Sequence, residues 1–246
     1  MIRRLFPAGG QVVEDLVAFA LDEHRPGGHH LMLNMVTSLD GATAVGGEAT
    51  PLGDDDDRAL FRALRAACDV ILVGAGTVRA EDYGPVRLPG KAVEARQSRH
   101  LPPVPRLAIV SRTLDLDPAA RVFSNTERGP YIITGEDAPP ARRQVLADRA
   151  EIVVAGESGA DPKSIIHALH DKGHAVILCE GGPTLNSQFI ASGLVDELNL
   201  TISPVIVGGS SFRLTHGAPE VQHDYRLDRL MTGDRMLFGR YLRVGR

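Results

Sequence analysis

The sequence predicts an α/β protein of three layers, αβα, with a mostly parallel central sheet that ends in an antiparallel hairpin. Three observations carry this. Short continuous apolar runs recur along the chain: DVILVG from Asp69, PRLAIVS from Pro105, PYIITG from Pro130, EIVVAG from Glu151 and HAVILCEGG from His174. Strands buried on both faces have that character. Helical stretches separate several of the runs, and strand, helix, strand in succession implies parallel neighbours with helices on both sides of the sheet. The last third breaks the rhythm: VDELNLTISPVIVGG from Val195 reads as a long strand, and YRLDRLMTGDRMLFGRYLRV from Tyr225 as two strands joined by a turn around Thr232, Gly233 and Asp234.

Taken in order, residues 1–28 read as a helical appendage built on VVEDLVAFALDEHR from Val12, and residues 29–246 as a single main domain. LMLNMVTSLDGATA from Leu31 is a strand running into an Asp-Gly turn. In DDDDRALFRALRAAC from Asp54, Leu60, Phe61, Leu64 and Ala67 fall at helical spacing. Its acids occupy the first turn, where the helix dipole favours them, and are read as a solvated helix start rather than a metal site. PPARRQVLADRA from Pro139 and DPKSIIHALHDKG from Asp161 are further helices, the second closed by Gly173. GPVRLPGKAVEARQSRHLPPVP from Gly84 carries prolines and reads as an irregular connection, long for a compact domain.

Composition narrows the function classes. Of 246 residues, 43% are hydrophobic and 24% charged, and the net charge is -4, so no global positive field favours nucleic acid as a partner. No apolar run approaches the roughly 20 residues that span a bilayer. In MIRRLFPAGG a proline interrupts any signal-peptide core, so a cytoplasmic location and no membrane partner are expected. Cys68 and Cys179 stand singly in apolar surroundings, which predicts buried thiols without a disulfide or a metal site.

Chemistry is expected at the carboxyl ends of the parallel strands, where the crossover helices begin. After DVILV comes GAGTVRAEDYG: Gly74 and Gly76 permit close backbone approach and Thr77 offers a hydroxyl, while Arg79 stands where a third glycine would complete a dinucleotide fingerprint. The turn is a phosphate cradle or a plain tight turn. In VILCEGGPTLNSQFIASG a strand ends at Glu180, Gly181 and Gly182 open the backbone, Pro183 takes the first helical position and Thr184 adds a hydroxyl. Two such turns on one sheet point to a dinucleotide. Ser111 and Arg112, at another strand end, suit a ribose 2′-phosphate and favour NADPH over NADH, against the plain reading of Arg112 as a solvated loop arginine.

Four blocks together, NMVTSLDGATA from Asn34, LRAACDVILVGAGTVRAEDYGP from Leu64, AIVSRTLDLDP from Ala108 and ILCEGGPTLNSQFIASGLVDELNLTISPVIVGG from Ile177, resemble the pyrimidine reductases of riboflavin biosynthesis. These are the reductase domains of RibD-type proteins, which share the dihydrofolate-reductase-like fold. The resemblance covers Leu31 to the C-terminus and looks like a stand-alone, actinobacterial subgroup, since the HxE and PCxxC motifs of the deaminase domain are absent. It implies an NADPH-dependent homodimer, joined through the C-terminal strands. The reaction implied is reduction of the ribosylamino side chain of 5-amino-6-(5-phosphoribosylamino)uracil or of its 2-amino-4-oxo diaminopyrimidinone precursor. Where many members read DDPxLTxR, with the arginine placed for the substrate's phosphate, this chain has AEDYGPVRLP, in which Arg87 is the replacement and Arg79 a second candidate.

On that resemblance, Asp40 and Glu180 are the candidate catalytic acids, for pyrimidine recognition or proton supply. Asn34, Thr37 and Ser38 are the candidate hydrogen-bond partners on the same strand. The plain readings are that Asp40 only makes its Asp-Gly turn and that Glu180 caps the next helix. Two rivals stand beside the main reading. A dihydrofolate or dihydropteridine reductase would share the pyrimidine edge, and a non-catalytic NADP(H)-binding module would share the glycine turns.

Overall fold

The computed structural model describes residues 1–24, 28–124, 129–217 and 219–245. Among them ten strands form one sheet: β1 (Arg3–Phe6), β2 (His30–Thr37), β3 (Val70–Gly74), β4 (Arg106–Val110), β5 (Tyr131–Thr134), β6 (Glu151–Val154), β7 (Val176–Cys179), β8 (Glu197–Ile202), β9 (Tyr225–Thr232) and β10 (Leu237–Arg243). Their spatial order is β1-β9-β10-β8-β2-β7-β3-β4-β5-β6. From β8 to β6 every neighbouring pair is parallel, so the carboxyl ends of β2, β3, β4, β7 and β8 share one edge. β10, β9 and β1 continue the sheet antiparallel.

Among the described residues seven α-helices accompany the sheet: α1 (Leu16–Glu23), α2 (Asp55–Ala67), α3 (Ala75–Ala80), α4 (Gly90–Gln97), α5 (Pro140–Ala147), α6 (Pro162–Asp171) and α7 (Pro183–Ala191). Successive strand residues point to opposite faces, and the core divides accordingly. Met32, Ile71 and Leu178 pack with Leu64 of α2 and Leu146 of α5 on one side. Leu33, Leu72 and Ile177 pack with Ile165 of α6 and Phe189 of α7 on the other. Helix α1 lies on α2 through Ala20, Ala63 and Ala67, small side chains that let the two axes approach.

Three expectations need correction. Residues 1–28 read as a helical appendage built on the segment from Val12; α1 is present there, but Arg3–Phe6 ahead of it is a strand that adds to β9 at the sheet edge, and residues 25–27 lie outside the described set. The long strand from Val195 stops at Ile202, because Ser203 and Pro204 turn the chain out of the sheet. The segment from Gly84 is not irregular throughout, since it contains α4. Arg96 on that helix is fully buried, and its guanidinium donates to the carbonyls of Ala66 (2.7 Å), Cys68 (2.6 Å) and Pro102 (2.7 Å). Two of those carbonyls sit at the C-terminal end of α2, where backbone acceptors lack partners within the helix.

A buried charge cluster fixes α1 to the sheet. Glu197 of β8 is fully buried and accepts from His24, from His30 Nε2 (3.0 Å), from Asn199 (2.7 Å) and from Arg240 of β10 (2.8 Å). Burial opposes its charge, yet these partners together hold its carboxyl well below the usual range. Arg229 of β9 reaches His24 Nε2 at 3.3 Å, and because a guanidinium only donates, Nε2 is the acceptor. A neutral His24 ring with its proton on Nδ1, directed at Glu197, satisfies both contacts; burial lowers its pKa and the two arginines add to that, against the raising effect of Glu197.

Candidate active site

The glycine turns meet at the shared sheet edge because β3 and β7 are neighbours. The Gly74 N–H donates to the Gly181 carbonyl at 2.7 Å, and the Glu180 N–H donates to Leu72 O at 2.9 Å. Gly74 is the N-cap of α3 and Gly182 that of α7, with Pro183 opening the latter helix. Side chains are excluded for two reasons. Gly181 has φ +87°, and a Cβ there would lie 3.2 Å from Met35 Sδ. A Cβ on Gly182 would lie 2.7 Å from the Thr77 hydroxyl, while one on Gly76 would meet open space. The result is a cradle walled by backbone, with two helix N-termini at its rim. That shape and donor set fit the phosphates of a dinucleotide.

The cradle opens into a cleft of about 1210 Å³. On its other side stands one stripe of α2: Asp57, Phe61 and Arg65, spaced four apart and all lining the cavity. Arg65 grips Glu180 in a bidentate pair, Nε to Oε1 and Nη2 to Oε2, both 2.7 Å. The Tyr83 hydroxyl donates to Oε2 at 2.8 Å, and the guanidinium lies 4.2 Å over the Phe61 ring. Burial alone would lower the Arg65 pKa, but the Glu180 carboxylate raises it above its ordinary value. Burial and the same carboxylate push the Tyr83 phenol well up. Glu180 is thus an acceptor whose two oxygens are already held, at the cleft surface.

Among the residues singled out from the sequence, Asn34, Gly74, Gly76, Thr77, Arg87, Glu180, Gly182 and Thr184 line the cleft, with Gly181 in the bonded elbow beside them. Ser38, Asp40, Arg79, Ser111 and Arg112 do not line it. Ser38 is buried; its hydroxyl donates to Asp40 Oδ1 (2.5 Å) and accepts from Ala42 N–H. Asp40 is exposed and accepts the N–H groups of Val207 (3.1 Å) and Gly208 (2.7 Å), and the Ser38 and backbone hydrogen bonds bring its carboxyl down to about 2. In this structure Asp40 anchors the loop after β8, whose Val207 and Gly208 form part of the cleft wall.

Arg79 is turned away from the cleft, donating to Asp115 O at 2.6 Å. Ser111 shapes the turn after β4, its N–H bonded to Ile133 O and its hydroxyl accepting from Leu114 N–H at 3.1 Å. Arg112 is exposed at the same edge, its stem beside Gly159. Both stand one strand along from the β3 elbow.

Residues that the sequence reading passed over complete the site: Asp57, Arg58, Arg65, Tyr83 and Arg121 all line the cleft. The signal for Asp57 and Arg65 is the i, i+4, i+8 spacing with Phe61, a residue the sequence reading uses only to mark the helix. Asp57 has its carboxyl raised by burial and by the neighbouring Asp54 charge, against the opposing effects of the Thr201 hydroxyl and Arg58.

With this geometry in view, comparison with known proteins gives a consistent result. The model of the RibD C-terminal domain matches residues 29–235. The 2,5-diamino-6-ribosylamino-4(3H)-pyrimidinone 5′-phosphate reductase of Methanothermobacter thermautotrophicus is 35% identical over 184 residues, 75% of this chain and 82% of that one. The crystal structure of a pyrimidine reductase-like protein from Corynebacterium diphtheriae superposes with a TM-score of 0.82 at 32% identity, covering 89% of this chain and 93% of the other. Dihydrofolate reductase from Enterococcus faecalis, at 12% identity and a TM-score of 0.50, shares the fold over 88% of this chain and 97% of its own.

Proposed function

Since the chain belongs to the RibD C-terminal domain family, we propose that it is an NADPH-dependent pyrimidine reductase of riboflavin biosynthesis. Its substrate in this reading is 2,5-diamino-6-ribosylamino-4(3H)-pyrimidinone 5′-phosphate, with the deaminated uracil as second choice, and it reduces the ribosylamino side chain to the ribitylamino one. The observation that carries the reading is the junction of the Gly74 and Gly181 elbows on the same cleft as the Arg65–Glu180 pair.

The chain's residues divide between two ligands. Gly74, Gly76 and Gly182 let the backbone approach a pyrophosphate, and Thr77 and Thr184 add hydroxyls. Ser111 and Arg112, one strand along, serve the 2′-phosphate that separates NADPH from NADH. When bound, the reduced nicotinamide supplies hydride to C1′ of the opened sugar. Arg87, with Arg58 and Arg121 on the same cleft, takes the sugar phosphate. Glu180 is fixed by Arg65 and Tyr83, and with Asn34 it orients the aminopyrimidine and ribose. The protein's contribution is position and a pocket partly closed to water.

A homodimer acting in the cytoplasm completes the proposal. Its support is the apolar face that β8 and β10 turn away from α1 and α2. There Leu198 is paired with Tyr241, Leu200 with Gly239, and Ile202 with Leu237, which is 39% exposed. Both cysteines are free and buried, which suits a reducing compartment.

The test follows absorbance at the nicotinamide band while the diaminopyrimidinone ribosylamino phosphate, its deaminated counterpart and dihydrofolate are offered separately. NADPH oxidation with either of the first two supports the reading. Oxidation with dihydrofolate alone, or with none of them, overturns it.

A further inference from the structure

The four consecutive aspartates at the start of α2 have four different surroundings. Asp54 is the N-cap, accepting the Asp57 N–H at 2.9 Å. Asp55 is exposed and paired with Arg58 at 2.7 Å. Asp56 accepts the Asp234 N–H at 2.9 Å and so holds the β9–β10 turn. Asp57 alone of the four lines the cleft. The backbone makes room for it: a Cβ on Gly53 would sit 2.8 Å from its Oδ2. Among the described residues Asp57 has no ion-pair partner. Facing it are Asp54 and Arg58 from its own helix, the latter engaged with Asp55, and the hydroxyl of Thr201 from β8; uncharged Asn34 of β2 lines the same cleft.

We propose that Asp57 is a catalytic residue of this cleft, the acid that protonates the nitrogen joining sugar to pyrimidine as hydride reaches C1′. The inference rests on the reductase reading above. In that reaction the sugar ring opens when the C1′–O4′ bond breaks, O4′ gains a proton and the amine nitrogen loses one, leaving a C1′=N imine. Hydride from the reduced nicotinamide then adds to C1′, and the π electron pair moves to nitrogen. That nitrogen takes a proton from the Asp57 carboxyl, which is restored from solvent.

Two features suit Asp57 to this task and not the other carboxylates of the site. Glu180 has both oxygens held by Arg65 and Tyr83, Glu81 of the same cleft accepts from the Ala49 N–H and the Thr50 hydroxyl, Asp82 is paired with Arg121, and Asp40 lies outside the cleft with its carboxyl at about 2. Asp57, by contrast, has its carboxyl raised by burial and by Asp54, which favours holding a proton until it is needed. Asp57 and Arg65 are eight residues apart on one stripe, roughly 12 Å along the helix. The proton donor and the fixed acceptor pair thus stand at opposite ends of the substrate's side of the cleft.

The experiment compares wild type with Asp57→Asn, Asp57→Glu and the exposed control Asp55→Asn. It reads turnover against pH with the ribosylaminopyrimidine phosphates, NADPH affinity by calorimetry, and Tm. Expected are an alkaline decline of turnover in wild type and, for Asp57→Asn, a fall in kcat of about 10²–10⁴-fold, loss of that decline, and unchanged NADPH affinity. Asp57→Glu recovers part of the activity and the decline, and Asp55→Asn matches wild type. The Asn variant also melts higher at neutral pH, because a carboxyl raised in the folded state weakens folding once it ionises. Wild-type turnover together with an Asp57→Asn variant that keeps both rate and pH profile overturns the role of Asp57 and leaves the reductase reading standing. A wild type that binds NADPH and turns over neither phosphate overturns both.

Discussion

The Gly74 N–H and the Gly181 carbonyl are hydrogen-bonded at 2.7 Å, although 107 residues separate them in the chain. The cradle is therefore one bonded unit made from two crossovers, and a change on one elbow is felt by the other.

Gly182→Ala tests that unit. The added methyl carbon meets the Thr77 hydroxyl at 2.7 Å, and relieving the clash displaces one helix N-terminus. NADPH affinity is expected to fall about tenfold, some 1.4 kcal/mol, in a calorimetric titration. Adding Thr77→Ala in the same chain recovers part of the loss, the non-additivity expected of residues in contact.

Arg65→Ala removes the only bidentate partner that Glu180 has among the described residues. Because the Glu180 side chain is 2% exposed and the Arg65 side chain 18%, the variant leaves a carboxylate without its counter-charge. Loss of one member of a buried pair costs about 3–5 kcal/mol, to be read from denaturant unfolding. Arg65→Lys keeps the charge without the fork geometry and falls between.

Asp40→Ala frees the Val207 and Gly208 N–H groups and loosens one cleft wall. We expect a few-fold rise in KM with the shape of the kcat–pH profile retained, since the Asp40 carboxyl titrates near 2. A profile that loses a limb in this variant would return the residue to proton transfer.

His24 sets an acid limit on stability. Its pKa is lowered in the folded chain by burial, so between the unfolded value of about 6.5 and that lower one, the unfolded chain binds the extra proton. Stability from this group is complete above pH 6.5 and declines as pH falls below it. Melting curves from pH 7.5 to 5 should show the decline, and His24→Asn, which keeps a donor toward Glu197, should flatten it.

What the sequence disclosed was backbone chemistry. Gly-Gly-Pro after an apolar run marks an elbow whose form those residues permit, Gly-x-Gly before a hydroxyl marks the second, and both elbows reached the cleft. The apolar runs likewise marked the parallel strands, because burial on two faces leaves few other residues to choose. Side-chain allegiance was less visible. Asp40 announces a turn, but nothing local tells that its oxygens reach the loop after β8. The four aspartates of α2 look alike in a row, and only their phase around the helix singles out Asp57. Helix α4 hides in a proline-bearing polar stretch because its organising residue is a buried arginine, a type that local patterns assign to the surface.

The family match begins at residue 29, yet His24 and Arg240 meet on Glu197 across the join between α1 and the sheet. A trimmed version starting at β2 would expose a carboxylate and two guanidiniums where a covered layer belongs, and strand β9 would face water along the edge that β1 now closes. Anyone paring this protein to a minimal catalyst should keep the leading strand and helix, or replace that inner charge cluster with apolar side chains of matching size.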